Sequence, residues 1–403
     1  MLTEKKLWIT AVSVCGMLLS VSAENEGINL GAFTFHPFVA GEISYDDNVF
    51  QTKDGQDDIY TELAVGARLK RDTDTLHVDS SAWFARRFYD QYTERDANRW
   101  GLAGLLRGES DKAFGMLLLD ARQVDDYNQA PTLGSIPTGF EGTVDLAFDR
   151  TAGNEPRRIF DGMVGGGYTF SDTLALMAGY KSYAVDYYDD ATTLESWRED
   201  TVGTELSVEL TDKMVSFING QFGVQSGDGA PFGESAELIT GRIGVKNTLT
   251  DKSTLRLALG ATRYATDADT YTEPSFELNA LWQATSRITV FVNGRNEVQP
   301  VGDGANTQLS SRGSTGVNYV LNRVVTMVLS GSAVHDRYLN STLLPGGSTG
   351  KPTTTLFIGT YRLTVQPIKR WDVYGQVEFT DAQQDLADDY QRLRATLGTS
   401  YAF

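Results

Sequence analysis

The chain has 403 residues, 35 basic and 53 acidic, for a formal net charge of −18. That sign argues against nucleic acid as a partner. The single cysteine, Cys15, leaves neither a disulfide framework nor a thiol nucleophile for the folded protein.

The amino end reads as a secretory leader. Lys5 and Lys6 form a basic start, Leu7 to Val21 is mostly apolar, and Val21-Ser22-Ala23 is a small-residue cleavage site. Removal of residues 1–23 takes away two lysines, one glutamate and Cys15. The remaining chain then has 33 basic against 52 acidic residues, a net charge of −19. Residues 24–34 are expected to form a periplasmic segment, and residues 35–403 a single further unit with no linker. No apolar run of ~18 residues follows the leader, so transmembrane helices are excluded.

From about Phe35 the dominant period is two, as in half-buried strands. Ile59, Thr61, Leu63, Val65, Ala67 and Leu69 alternate with Glu62, Ala64, Gly66, Arg68 and Lys70. Val202, Thr204, Leu206, Val208 and Leu210 alternate with Gly203, Glu205, Ser207 and Glu209. The same pattern recurs over residues 273–284 and 371–380.

Connections alternate between short polar turns, such as Thr211-Asp212-Lys213 and Thr250-Asp251-Lys252, and longer acidic or Gly-rich segments such as 47–57 and 126–156. This predicts an all-β, transmembrane, antiparallel up-and-down β-barrel of about 16 to 18 strands, with 18 preferred. Its short turns would be periplasmic and its long loops extracellular, in a bacterial outer membrane. Closure follows because only a sheet without edges satisfies every backbone group in lipid. The expected surroundings are outer-membrane lipid and lipopolysaccharide.

At the carboxyl end, Leu393, Ala395, Leu397, Thr399, Tyr401 and Phe403 alternate to the last residue. Gly398, Tyr401 and Phe403 resemble the terminal signal read by the bacterial barrel-assembly machinery, which implies that machinery as a partner. Aromatic residues near strand ends are expected at the membrane interfaces. They are Phe88, Tyr89, Trp100, Tyr168, Phe170, Tyr183, Tyr187, Trp197, Trp371 and Tyr390.

Charged residues facing lipid at mid-depth would cost ~2–4 kcal/mol each for the basic ones. The polar parity is therefore placed inward. The predicted lumen carries Glu62, Arg68, Glu205, Glu209, Arg242, Lys246, Arg256, Glu277, Arg295, Glu297, Arg312, Arg362, Tyr374, Glu378, Arg392 and Arg394. Such charges would set solute selectivity. The longest loop, 126–156, carries Asp126, Glu141, Asp145 and Asp149. It is expected either to fold into the lumen as an acidic constriction or to stand outside as a hairpin.

Three histidines, His36, His77 and His335, lack zinc-ligand spacing, so neither metal nor cofactor is expected. A rim hydrolase would need His335-Asp336 beside Asp125-Asp126 or Asp189-Asp190. These are motif fragments without geometry, and an enzyme is not the reading drawn.

One segment carries a family resemblance. Tyr45-Asp46-Asp47-Asn48-Val49-Phe50 closes the first predicted strand. A barrel opening this way resembles the beta-barrel porin 2 family, outer-membrane barrels many of which accompany surface or exopolysaccharide export gene clusters. The resemblance implies a channel, with polysaccharide and periplasmic export components as partners, or a diffusion porin for small hydrophilic solutes. It supplies no catalytic residues. Read as residues, Asp46, Asp47 and Asn48 end a strand by bonding local backbone N–H groups. A calcium site is the weaker alternative.

Overall fold

The computed structural model describes residues 27–124, 156–188, 196–227, 235–266, 270–300, 307–339, 342–343, 349–385 and 388–403. Eighteen long strands follow one another in chain order. The first six are β1 (Phe33–Asp46), β2 (Asp58–Asp72), β3 (Leu76–Tyr89), β4 (Ala97–Glu109), β5 (Ala113–Val124) and β6 (Arg157–Ser171). Then come β7 (Leu174–Tyr187), β8 (Trp197–Thr211), β9 (Met214–Gly227), β10 (Ala236–Thr250), β11 (Ser253–Ala265) and β12 (Thr270–Gln283). The last six are β13 (Ile288–Pro300), β14 (Thr307–Val320), β15 (Val325–Tyr338), β16 (Thr353–Ile368), β17 (Trp371–Gln384) and β18 (Tyr390–Ala402).

Each strand pairs antiparallel with its chain neighbours, and β18 returns to β1 from Phe38↔Ala402 to Asp46↔Arg394. The sheet is closed. A three-residue strand, Ile28–Leu30, folds back on Phe33–Phe35, so the barrel begins two residues before the expected boundary at 35.

Alternation decides which side each residue faces. Val65, Ile218, Ile243, Leu259, Leu329 and Leu397 all point outward and are each more than half exposed. An apolar belt of this extent on a soluble protein would be a docking or aggregation surface. Around a closed sheet it is a lipid-facing surface, and the opposite parity carries the polar side chains inward.

The expected interfacial aromatics divide. Phe88, Tyr168, Phe170 and Trp371 are outward and exposed. Tyr89, Tyr183, Tyr187, Trp197 and Tyr390 are instead buried, and this corrects the expectation. They have the inward parity near the outer strand ends. Tyr183, Tyr187 and Trp197 pack with Val124, Ile159 and Val185, while Tyr390 packs with Val334, Leu356 and Ala382.

The Tyr45–Phe50 segment sits where the first and last strands meet. Asp46 accepts from the Asn48 backbone N–H (3.1 Å) and pairs with Arg392, both side chains being almost wholly buried. The Asn48 amide donates to the carbonyls of Thr52 (2.7 Å) and Gln391 (2.9 Å), and its oxygen accepts from the Thr52 N–H (3.0 Å). Asp47 accepts from the Leu393 N–H at 2.6 Å. The oxygens of these side chains are thus engaged, and the Asn48 amide and the Asp47 carboxylate tie the loop after β1 to β18.

Gly398 lies beside Tyr374. A β-carbon added there would fall 2.3 Å from the Tyr374 ring, so the missing side chain is what lets Tyr374 project inward. Gly398→Val is expected to lower stability by about 1–3 kcal/mol, as overpacking does, and the double variant with Tyr374→Ala should regain part of the loss. Urea unfolding in detergent micelles would measure both. Equal stability of the two variants would remove steric conflict as the reason for glycine here.

Candidate functional site

The lumen gathers the charged residues into ion pairs between strands. On β2–β4, Glu62 receives Arg87 at 3.0 Å and Arg99 at 2.6 Å, with all three side chains buried. Arg68 pairs with Asp79. On β6 and β7, Lys181 lies 3.2 Å from Asp161. Where β16–β18 meet β1, Arg394 pairs with Glu378 at 2.7 Å and Tyr374 donates to Glu42 at 2.6 Å. The Arg362 guanidinium stacks 4.0 Å above the Tyr374 ring, a cation–π contact.

The densest network spans β8 to β12. Glu205, only 3% exposed, accepts from Lys246 Nζ at 2.6 Å and from Arg256 Nη2 at 2.8 Å. Arg256 also donates from Nε to Glu277 at 2.7 Å, and Asn279 donates to the same Glu277 oxygen at 3.0 Å. The Arg256 guanidinium and the Lys246 ammonium lie 4.0 and 5.2 Å from the Phe217 ring centre. Glu205 therefore reaches across one intervening strand to Lys246 and across two to Arg256, which few placements other than a curved inner wall permit.

Arg242 differs. It donates from Nε to Ser275 Oγ at 2.7 Å, and no carboxylate among the described residues forms an ion pair with it. Its guanidinium lines a lumen cavity of about 270 Å³, which runs from Leu118 on β5 to Ser314 on β14. Five carboxylates (Asp161, Glu199, Glu205, Glu277, Glu297) and five cations (Lys181, Arg242, Arg256, Arg295, Arg312) line it. The wall is therefore not of one sign, and selectivity must come from local placement.

Every residue expected in the lumen has the inward parity. Arg312 donates to Ser310 at 2.8 Å and Arg295 lies 3.5 Å from Glu297. Glu209 has the inward parity too but lies exposed near the turn end of β8. Asp126, Glu141, Asp145 and Asp149 lie outside the described residues.

Sequence reading missed Glu42, Arg87, Arg99, Asp161 and Lys181 as inward charges. Strand parity alone would have found Arg87, which alternates with the outward Phe84, Arg86 and Phe88 series. His335 and Asp336 are not a dyad. His335 points outward, 3.0 Å from Thr355 Oγ1, while Asp336 is buried on the opposite face of β15.

A closed eighteen-stranded sheet, apolar outside and charged within, is an outer-membrane β-barrel. No family model matches the chain, and no curated protein matches it. The hexapeptide resemblance to beta-barrel porin 2 thus gains no support from a family match.

Among solved structures the chain is similar to OpdO of Pseudomonas aeruginosa, at 11% identity over 92% of this chain and 97% of that one, TM-score 0.48. It is similar also to OpdK of Pseudomonas aeruginosa, solved with vanillate, at 11% identity over 92% and 99%, TM-score 0.48. OccAB4 of Acinetobacter baumannii aligns at 13% identity over 92% and 98%, TM-score 0.47. At these values the likeness adds no argument beyond the hydrogen-bonded ladder itself.

Proposed function

We propose that the barrel is a passive diffusion channel admitting small hydrophilic solutes across the outer membrane. The observation that carries this reading is the lumen cavity of about 270 Å³, lined by both signs of charge. It lies just below the ~300–1,000 Å³ typical of small-molecule sites. Side chains reaching across several strands, such as Glu205 to Arg256, narrow the passage further.

Export of a surface polysaccharide, which the hexapeptide resemblance implies, draws no support from these features. The inward residues that would suit stacking and hydroxyl contacts with a glycan are Tyr374, Gln376, Asn279, Gln283 and Asn293. Of these, Tyr374 already holds Glu42 and Arg362, and Asn279 holds Glu277.

Arg242 is the side chain placed to meet an anionic group of a passing solute, since its charge is not already spent on a carboxylate. Conductance and reversal potential of the refolded chain in planar bilayers test the reading. Wild type should conduct, and Arg242→Gln should move the reversal potential toward cation preference. A chain that is folded by its gel migration yet silent would overturn the channel.

A further inference from the structure

The barrel wall overlaps itself at one seam. β12 and β13 pair only from Glu277↔Arg295 to Gln283↔Thr289. Above Glu277 the outer half of β12 stays fully paired with β11, and the outer half of β13 stays fully paired with β14. The ladder between β12 and β13 is open over that outer half.

Two residues encode the opening. In an antiparallel strand the N–H and C=O of a residue point to the same edge. The Pro274 carbonyl faces β13, where it accepts from Asn296 Nδ2 at 2.6 Å. Its imide nitrogen faces the same edge with no hydrogen to donate, and proline in a sheet belongs at such unpaired edges. The Asn296 oxygen in turn accepts from the Phe276 N–H at 2.6 Å. One side-chain amide thus replaces two main-chain bonds and holds the strands apart.

Parity shows which way the wall is displaced. Val298, Leu309 and Arg337 share the parity of the lipid-facing Val292, Tyr319 and Leu329. Tyr264, Tyr271 and Glu273 share that of the lumen residues Arg256 and Glu277. Yet Val298, with only 2% of its surface exposed, belongs to one packed cluster with Ala236, Tyr264 and Leu339, flanked by Leu238, Tyr271 and Leu309. Tyr264 is hydrogen-bonded to Thr307, and Arg337 pairs with Glu273 at 3.1 Å. Outer-face residues of β13–β15 therefore pack on inner-face residues of β10–β12, so the outer ends of β13–β15 lie on the lumen side. Asn296 and Val298 border the cavity.

We infer that this inset flap of wall is the constriction that sets the size limit of the channel. It is held by the Asn296 clasp and the Glu273–Arg337 pair, and it widens the lumen when β13 zips onto β12. The inference rests on the channel reading above.

The test compares wild type with Pro274→Thr/Asn296→Thr, which restores the missing donor and removes the clasp. Glu273→Gln/Arg337→Gln serves as a milder release, and all are checked for folding by gel migration. Either release should raise single-channel conductance by roughly a factor of two and admit larger polyethylene glycols. Glu273→Cys/Arg337→Cys, in a chain with Cys15 replaced by alanine and with the two thiols bridged by addition to a short bis-maleimide, should stay at the wild-type level. A conducting wild type with both releases unchanged overturns the constriction alone. Silence of wild type and both releases overturns the channel reading and this one with it.

Discussion

Glu205→Gln is expected to shift the channel toward anions and to weaken the barrel at once. Glu205 is buried between Lys246 at 2.6 Å and Arg256 at 2.8 Å. Glutamine keeps an acceptor but loses the charge, which leaves two adjacent cations without their shared counter-charge. Breaking a buried pair from one side costs about 3–5 kcal/mol, because the remaining charge stays desolvated. Arg256 retains Glu277 at 2.7 Å, so the upper part of that range is not expected. Bilayer reversal potentials should move toward the anion limit, and urea midpoints in micelles should fall. An unchanged reversal potential would show that Glu205 lies away from the conducting path.

The second large effect concerns closure. Arg392 and Asp46 join β18 to β1 at the outer rim, and their side chains are 3% and 0% exposed. Arg392→Met leaves the Asp46 carboxylate buried with one backbone N–H, that of Asn48, at 3.1 Å. A loss of about 3–5 kcal/mol follows. Asp46→Leu/Arg392→Met should recover much of it, since replacing both members by apolar groups removes the stranded charge. Thermal loss of the folded gel band would rank the three proteins. If the double variant were no more stable than Arg392→Met, an uncompensated charge could not be the cause.

The fold was legible to an unusual degree. Lipid demands one apolar face and a closed sheet, so residues such as Leu63, Leu206 and Leu397 announce their side through a strict period of two. The lumen set follows from the same parity, which places Glu62, Arg256 and Arg394 on the face opposite the exposed Leu63, Leu257 and Leu393. Aromatic residues were harder. Trp371 and Trp197 both stand at strand ends, but Trp371 faces out and Trp197 packs inside with Tyr183. Position along a strand suggests an interface, and only parity distinguishes the girdle from the interior.

Pro274 did leave a signal, being a proline within an alternating run. Its meaning depended on Asn296, 22 residues away, finding the carbonyl that the ladder had left free. No local pattern specifies that.

By itself the chain determined the closed antiparallel barrel, its approximate strand number and the alternation that separates a lipid face from a lumen face. These depend on neighbours in sequence and on the solvent each face meets. Tertiary structure alone decided which charges pair, as with Glu205 and Arg256 across β8 to β11. It also decided which cation is left to a hydroxyl, as with Arg242, and where the wall folds over itself. Those outcomes depend on the curvature and stagger of the closed sheet, which set distances between residues far apart in the chain.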